Sequence, residues 1–404
     1  MKKVERWLVY CCLLFTFISE MLLSPFFPQL FSSYFQVDGV QATSLFIICC
    51  RLIGIVMTPI WAKVAEWIPL RKLITSALMA MTGCKLLIPN AHSFEEFLVI
   101  SLVLLFFQSS IYILYPVMIA SCKKEDEKVK TTTTYLFLFH GSVIVAGIIG
   151  SFIINWSFPL DSYYLFAIID LVLAAACYFL LSTRYSFSSK GKIRNKEDLS
   201  HAGKWQGEFL IYLFIVLLFF IGHHTIRPYF TAFLDRTYTL SKQGLSLLYV
   251  MPSLVAIILQ FLLPKRYLQS HIKMIFICIT AVTGGLLYIQ VLVEDIWLFV
   301  FFRIMYGICF FVSLAAIDVL FFKMRMGKES PLSYSLVTSV QNIALLISPI
   351  AALTMVEHDG GEGPFFFSGF LLICSALLAF LFSISTHKAS LYQIKKGVGH
   401  SENK

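Results

Sequence analysis

The chain has 404 residues, of which 58% are apolar and only 14% are charged. Soluble globular domains carry about 25% charged residues, so this composition excludes an ordinary soluble globule. The net charge of +9 would suggest a nucleic-acid partner in a soluble protein, but here the positive residues lie almost entirely in short connections between apolar segments. We therefore interpret the charge as a signal of orientation in a lipid bilayer and expect no nucleic-acid partner.

The amino-terminal apolar run is too long for a secretory signal and lacks a small-residue cleavage site, which makes it the first span. The ten cysteines form no metal or disulfide framework: Cys11–Cys12 and Cys49–Cys50 are adjacent pairs inside apolar runs, and no Cys-x-x-Cys motif occurs. Free cysteines in such runs behave as small hydrophobic residues, so we expect neither a metal site nor a cofactor.

Twelve apolar segments are long enough to cross a bilayer, whose core needs about 20 residues of helix. Helix is the expected state because lipid offers a backbone amide or carbonyl group no other partner. The predicted fold is an all-α polytopic membrane protein. Its spans are predicted at about residues 7–35, 43–65, 72–90, 95–121, 131–156, 162–182, 207–236, 243–264, 271–293, 296–322, 331–357 and 364–386.

The longest polar interval divides the chain into halves. Residues 183–206 carry six Lys and Arg residues against two acidic ones and show no apolar period. We interpret them as a cytoplasmic linker between an amino-terminal six-helix bundle, residues 1–182, and a carboxy-terminal one, residues 207–386. Residues 387–404 are predicted to form a cytoplasmic tail.

The distribution of Lys and Arg residues predicts the orientation. Of the 32, 26 lie at the termini or in the connections that follow even-numbered spans, and only Arg236 and Lys242 lie in the opposite connections. Both termini are therefore predicted to be cytoplasmic, in a multi-pass protein of the cell's inner (cytoplasmic) membrane. We expect it to be a monomer in the bilayer.

The two halves resemble each other in sequence. Span 1 contains SPFFPQLF at residues 24–31, and span 7 contains RPYFTAFL at residues 227–234. Each segment has a proline followed by two aromatic residues near the outer end of its span, and the two prolines are 203 residues apart. This offset of half the chain predicts two pseudo-symmetric bundles from a duplicated six-helix unit, a design found in secondary transporters.

Twelve spans, cytoplasmic termini and a basic central linker resemble the major facilitator superfamily over essentially the whole chain. The connection between spans 2 and 3 resembles that family's G-x3-D-R-x-G-R-K motif: it keeps an acid, Glu66, and a basic pair, Arg71 and Lys72, but lacks both glycines and the first arginine. The resemblance implies a gating role for Glu66 and Arg71. In the family's fourth-span motif Gln108 is kept, but Leu105 stands where an arginine is expected.

Ionisable residues inside spans are informative because each costs about 2.5–3.5 kcal/mol at the bilayer centre. Facing lipid, all seven together would cost on the order of 20 kcal/mol, so they are expected to face protein or water. The resemblance implies that spans 1, 2, 4, 5, 7, 8, 10 and 11 line a central cavity, and five of the seven residues lie on these spans. The seven are Glu20, Arg51, Lys85, Asp170, Arg227, Arg303 and Asp318.

Glu20 lies about 14 residues into span 1, hence roughly 20 Å along its axis, near mid-membrane. Arg51 reaches a similar depth in span 2, which runs the other way. In one hypothesis Glu20 binds a proton or a cationic group of the substrate, with Arg51 adjusting its proton affinity. In the other, Glu20 and Arg51 form a static ion pair that holds spans 1 and 2 together.

Span 7 carries His223, His224 and Arg227, which helical spacing places on neighbouring faces. A histidine in a water-filled cavity titrates near neutral pH and suits proton coupling. The alternative is a pair of hydrogen-bonded core histidines, and His140 in span 5 has the same two interpretations.

Arg303 in span 10 is a candidate anchor for a substrate carboxylate, whereas Asp318 near the inner end is expected either to line the site or to bridge to Lys323 or Arg325. Lys85 is expected to extend to the membrane surface, and no partner is evident for Asp170. Three uncharged residues are cavity candidates that helix-packing hydrogen bonds would explain equally well: Gln108, Gln341 and Asn342.

The predicted function is secondary active transport of a small organic solute by alternating access, with protons as the coupling ion. The arginines favour a carboxylate-bearing or zwitterionic solute, whereas Glu20 beside a Phe-rich lining favours an amphipathic or cationic one. Because the chain is compact, like the drug and siderophore exporters of the resembled family, export is expected, and import of an organic anion or sugar is the first rival.

Two rivals belong to other classes. One is a non-transporting membrane sensor or scaffold. The other is a membrane-embedded enzyme, but no nucleophile with its base and no HExxH-type ligand spacing is visible, so we expect no enzymatic activity. ATP hydrolysis is not expected as the energy source because no Walker-type glycine loop occurs.

Overall fold

The computed structural model describes residues 3–122, 125–181, 205–262, 272–323 and 331–401. Within these ranges the regular structure is helical, with no strand. Eleven apolar segments are long enough to cross a membrane, and the last of them, Leu336–Ser383, contains two helices joined by the turn at Gly360–Glu362. The twelve predicted spans and the all-α fold are therefore confirmed. The predicted linker at residues 183–206 lies almost entirely outside the described residues.

The amino-terminal half contains spans 1 to 6. Spans 1 and 4 each continue as a short helix, Phe27–Tyr34 and Leu114–Ser121 respectively. Polar residues cap helices in the connections: Asp38 accepts hydrogen bonds from the backbone amides of Val40 and Gln41 at the start of span 2. The six spans are Lys3–Met21, Gly39–Trp67, Leu70–Leu87, Phe94–Tyr112, Glu125–Ile153 and Ser162–Leu180.

The carboxy-terminal half contains spans 7 to 12, and span 7 likewise continues as a short helix, Phe230–Thr237. Span 12 runs beyond its apolar segment, so much of the predicted tail is a helix that ends at Ser401. Loss of apolar residues marks the end of the bilayer core but does not by itself end a helix. The six spans are Trp205–Thr225, Lys242–Leu262, Ile272–Leu292, Ile296–Lys323, Pro331–Asp359 and Gly363–Ser401.

Each half has its own apolar core. One core consists of residues from spans 1 to 6, and the other consists of residues from spans 7 to 12 joined by Phe26. The same helix pairs pack in both halves: spans 3 and 6 correspond to 9 and 12, spans 1 and 5 to 7 and 11, and spans 2 and 4 to 8 and 10. Between the halves, span 2 packs on span 11 and span 5 on span 8. This pairing is what a duplicated unit related by a two-fold axis requires.

The helices of spans 1 and 7 are interrupted at equivalent positions. A 3-10 turn interrupts span 1 at Ser24–Phe26 and span 7 at Arg227–Tyr229. The short helices that follow, Phe27–Tyr34 and Phe230–Thr237, begin and end at the same offset of 203 residues as the prolines. A proline lacks the amide hydrogen of a regular helix, which explains why both spans bend there.

Candidate functional site

Spans 2 and 11 are in contact near one end of the molecule and separate towards its middle. Ser44 on span 2 is 1% exposed, and its hydroxyl donates to the carbonyl oxygen of Pro349 on span 11 at 3.1 Å. Arg51 lies seven residues further along, on the same helical face, and its side chain is exposed. The space between the halves is therefore open at the level of Arg51.

The end that bears the connections after odd-numbered spans is closed by contacts between the halves. The hydroxyl of Tyr229 lies within hydrogen-bonding distance of Ser44 Oγ and donates to the carbonyl oxygen of Val40 at 2.9 Å. The hydroxyl of Thr231 donates to the carbonyl oxygen of Pro25, so the 3-10 turns of spans 1 and 7 meet here. On the predicted orientation this closed end is the outer one.

Glu20 is held by two donors from span 4. The hydroxyl of Tyr112 and the side-chain amide of Gln108 both donate to Glu20 Oε2, the latter at 3.0 Å. Gln108 Nε2 also donates to the hydroxyl oxygen of Tyr112. The hydroxyl hydrogen of Tyr112 and the two side-chain amide hydrogens of Gln108 are thus all used. Both residues donate to the same carboxylate oxygen of Glu20. Tyr112 did not figure among the sequence-based candidates, although it lies one helical turn after Gln108 on the same face.

Glu20 and Arg51 do not form the static ion pair considered from the sequence. Among the described residues no ion pair within 4.0 Å joins them. The side chain of Arg51 is exposed and lies close enough to Tyr112, and to His224 in the opposite half, to influence both electrostatically. Similar depth placed the two residues at one level, but helix depth does not fix the direction of a side chain.

The two histidines of span 7 have different surroundings. His223 Nδ1 lies 2.9 Å from the hydroxyl of Tyr306 on span 10, and its ring stacks on Phe310 with centroids 3.5 Å apart. His224 contacts the ring of Phe220 and lies in electrostatic range of Arg51 and Arg227. His223 is therefore a hydrogen-bonded histidine packed among aromatic rings, while His224 faces the positive groups of the cavity. Tyr306, like Tyr112, was absent from the sequence-based candidates.

The carboxylate anchor expected at Arg303 is enclosed rather than open. The residue is 5% exposed, its Nε donates to the carbonyl oxygen of Leu248 at 3.2 Å, and its guanidinium carbon lies 3.9 Å from the ring centroid of Phe230. Arg227 is half-buried beside Tyr249, with 5.7 Å between guanidinium carbon and ring centroid. In this conformation Arg227 is the more accessible of the two.

Three more candidates lie where the halves face each other. His140 Nδ1 is 3.3 Å from Ser253 Oγ, which links spans 5 and 8 across the interface. Gln341 and Asn342 are half-buried on span 11, seven residues before the buried contact at Ser348 and Pro349. They therefore lie at the level of Arg51, where spans 2 and 11 separate.

Positive charge dominates this region. Among the described residues, no carboxylate lies within 4.0 Å of the guanidinium groups of Arg51, Arg227 and Arg303. The nearby acid, Glu20, is engaged by Tyr112 and Gln108. Asp318 was also expected near span 10, but its side chain lies outside the described part of the chain. An anion entering between the halves would therefore meet uncompensated positive groups.

The gating residues implied by the family motif are described in part. The guanidinium of Arg71 lies over the ring of Tyr178 on span 6, 5.1 Å from its centroid, and its Nε has no hydrogen-bond partner among the described atoms. The side chain of Glu66 lies outside the described residues, so the contact that would form a gate is not defined.

Lys85 and Asp170 form a buried ion pair that the sequence analysis missed. Lys85 Nζ lies 2.6 Å from Asp170 Oδ2, and the side chains are 0% and 1% exposed. The expectation that Lys85 extends to the membrane surface is therefore wrong, because its ammonium group is neutralised inside the bundle. The sequence contained a signal for this pair: the resembled layout places spans 3 and 6 at the periphery, and beyond its first turn span 3 carries one basic residue, while span 6 carries one acidic residue.

The family model described as Major Facilitator Superfamily matches the sequence twice, at residues 9–222 and 209–400. The chain belongs to the major facilitator superfamily. Among solved structures, the human organic anion transporter MFSD10 (TETRAN) is similar at 13% sequence identity, with 94% of this chain and 100% of that chain covered and a TM-score of 0.62. At that identity the likeness shows the fold alone. No curated protein matches the sequence.

Membership of this superfamily makes the chain a secondary transporter of a small molecule and excludes the enzyme considered as a rival. The two matches overlap at residues 209–222, which lie within span 7, the first span of the carboxy-terminal half. The central region described above lies where superfamily members carry their substrate site, at the interface of the repeats near the bilayer midplane.

Proposed function

We propose that this superfamily member transports an organic anion, one bearing a carboxylate or a similar group, across the cytoplasmic membrane by proton-coupled alternating access. The observation that carries the proposal is the set of three arginines, Arg51, Arg227 and Arg303, without a carboxylate partner among the described residues. Arg227 is half-buried and Arg303 is buried, and a charge removed from water without a counter-charge is costly, so the site is stabilised when a ligand of opposite charge enters.

The structural neighbour MFSD10 is an organic anion transporter, which supports this choice of substrate class. The rival substrate, an amphipathic cation, would need an exposed acid. Among the described side chains of the region, Glu20 is the acid available, and its Oε2 already accepts hydrogen bonds from Tyr112 and Gln108. The charge balance of the described site therefore favours an anion over a cation.

The sign of the coupling follows from the same charges. Protonation of Glu20 or of a cavity histidine adds one positive charge to the site, so a bound proton and a bound anion stabilise each other, and the effect is reciprocal. At an effective dielectric constant of about 20, two unit charges about 8 Å apart interact by about 2 kcal/mol, roughly 30-fold in affinity. Proton and anion would then move together.

Such co-transport favours import of the anion, driven by an inward proton gradient. Import was the first rival in the sequence-based prediction, which favoured export. Export by exchange needs a proton and a substrate that compete for the site, as a cationic drug and a proton would compete for Glu20. A siderophore-like polycarboxylate remains within the proposed substrate class. Import and export can be distinguished by a transport measurement.

The test is transport by purified protein in proteoliposomes with an imposed pH gradient. Radiolabelled succinate, citrate and benzoate serve as anions, and tetraphenylphosphonium serves as the cation. We expect uptake of at least one anion to rise several-fold when the outside is acidic, and to collapse when a protonophore is added. Cation movement opposite to the proton gradient would overturn the proposal in favour of a drug exporter, and no movement of any solute would favour a sensor or scaffold.

A further inference from the structure

Glu20 and His223 occupy equivalent positions in the two halves. Each lies four residues before the first residue of the 3-10 turn in its span, at the offset of 203 residues that relates the turns. Each is also within hydrogen-bonding distance of a tyrosine on another span of the same half, Tyr112 of span 4 and Tyr306 of span 10. The two tyrosines are not equivalent in sequence, so the shared arrangement does not follow from the repeat alone.

We propose that Glu20–Tyr112 and His223–Tyr306 are two equivalent proton-binding positions, one in each half, and that the two tyrosines are positioning residues that set the proton affinity of their partners. The proposal deepens the proposed function and rests on it for the role of protons in transport. Neither Tyr112 nor Tyr306 carries a charge or belongs to a recognised sequence motif.

The chemistry of tyrosine suits this role because its hydroxyl both donates and accepts. At Glu20 the hydroxyl donates to Oε2, as does Gln108, which leaves Oε1 without a described partner and makes it the atom that takes the proton. At His223 the contact is through Nδ1. A neutral ring accepts a hydrogen bond there or donates one, whereas a protonated ring donates to the hydroxyl oxygen.

Packing holds both tyrosines in place. Tyr112 stacks on Phe17 of span 1 with ring centroids 5.8 Å apart, one turn before Glu20. Tyr306 is 2% exposed and lies nearly parallel to Phe310, which also stacks on His223. A phenylalanine at either position would keep the ring and the stacking and remove only the hydroxyl.

The surroundings of the two positions differ in charge. Glu20 lies close to Cys50 of span 2, Gln108 and Tyr112 of span 4 and Tyr163 of span 6, and Arg51 of span 2 lies close to Cys50 and Tyr112. His223 faces His224 and Arg227 of span 7, Arg303 and Tyr306 of span 10 and His140 of span 5. Arg51 lies near the position of Glu20, and Arg227 and Arg303 lie near His223. Both positions are therefore close to the proposed anion site.

The two substitutions should shift the pH dependence of transport in opposite directions. Tyr112→Phe removes a donor that stabilises the carboxylate of Glu20, so the pH midpoint of transport should rise by about one unit, a tenfold change in proton affinity. Tyr306→Phe removes the acceptor that stabilises protonated His223, so a midpoint governed by that group should fall by a similar amount. Matched controls are Tyr164→Phe and Tyr288→Phe, on the peripheral spans 6 and 9, which should leave the midpoint unchanged.

The measurement is anion uptake in proteoliposomes over a pH series, with anion counterflow at zero gradient showing that each variant is folded. A second readout independent of transport is infrared difference spectroscopy of the purified protein, in which a protonated carboxyl band absent from Glu20→Gln should titrate at higher pH in Tyr112→Phe. If Tyr112→Phe and Tyr306→Phe keep the wild-type midpoint and band, the proposal is overturned. If the band shifts as expected while wild-type protein carries no anion, the proposed function fails and the assignment of Glu20 and Tyr112 stands.

Discussion

Lys85 Nζ lies 2.6 Å from Asp170 Oδ2 inside the amino-terminal bundle, with both side chains buried. The pair joins spans 3 and 6, outside the central region where the other embedded charges gather. It is a structural pair, because neither residue faces the space between the halves.

Removing one member should therefore destabilise the protein strongly. Asp170→Asn leaves the ammonium group buried without a counter-charge, which typically costs about 3–5 kcal/mol. The double variant Lys85→Met with Asp170→Leu should recover most of that loss, since a buried ion pair and an apolar pair of similar size have comparable stability. Thermal unfolding in detergent at pH 7 measures the difference.

A surface pair provides the control for this prediction. Lys242 Nζ lies 2.7 Å from Asp235 Oδ2, but these side chains are 29% and 33% exposed. Asp235→Asn should cost at most about 1 kcal/mol, as for other exposed pairs. Equal losses for Asp170→Asn and Asp235→Asn would contradict the structural role assigned to the buried pair.

Gly150 marks a close approach between spans 5 and 1. A Cβ atom added at this position would lie 1.8 Å from the backbone carbonyl oxygen of Leu22, just before the break in span 1. Because backbone cannot yield as a flexible side chain does, Gly150→Ala should lower the yield of folded protein and its unfolding temperature. Gly141→Ala, on the same helix with nothing within 4 Å, should behave as wild type. Folded yield by size-exclusion chromatography compares them, and similar yields would refute the close approach.

Tyr229 links the halves at the closed end through Val40 and Ser44 of span 2. Tyr229→Phe removes that link without changing the ring, and one hydrogen bond contributes about 1 kcal/mol. The open population at this end should then rise about fivefold, seen as a longer distance between spin labels at Ser33 and Asp359.

The matched control for the closed end is Tyr238→Phe, which removes a hydrogen bond to the carbonyl oxygen of Val293 within one half. This variant should leave the distance distribution between the labels as in wild type. If both variants give the same distribution, the contact of Tyr229 does not stabilise the closed end.

The fold was readily predicted from the sequence, while the partners of buried side chains were not. Apolar length predicts spans because lipid forces the backbone into helices. The 203-residue offset of the prolines recurs in the 3-10 turns Ser24–Phe26 and Arg227–Tyr229. A proline interrupts the helix locally, so the same break appears in both copies of a duplicated unit.

Side-chain partners depend on rotation about the helix axis, which depth alone does not give. The sequence placed Glu20 and Arg51 at one level, yet Glu20 accepts a hydrogen bond from Tyr112, and no ion pair joins it to Arg51 among the described residues. Lys85 and Asp170 could have been paired from their opposite charges on neighbouring spans. Uncharged partners such as Tyr306 carry no comparable signal among the 18 tyrosines of the chain.

Unpaired arginines between the halves should bind an anionic solute. The most direct measurement is the initial rate of proton-driven anion uptake by Arg51→Gln and Arg227→Gln, with Arg236→Gln, at the end of the short helix after span 7, as the control. We expect a loss of at least tenfold for Arg51→Gln and for Arg227→Gln, mainly through a higher KM, and wild-type rates for Arg236→Gln. Unchanged uptake by Arg51→Gln and Arg227→Gln would contradict this expectation.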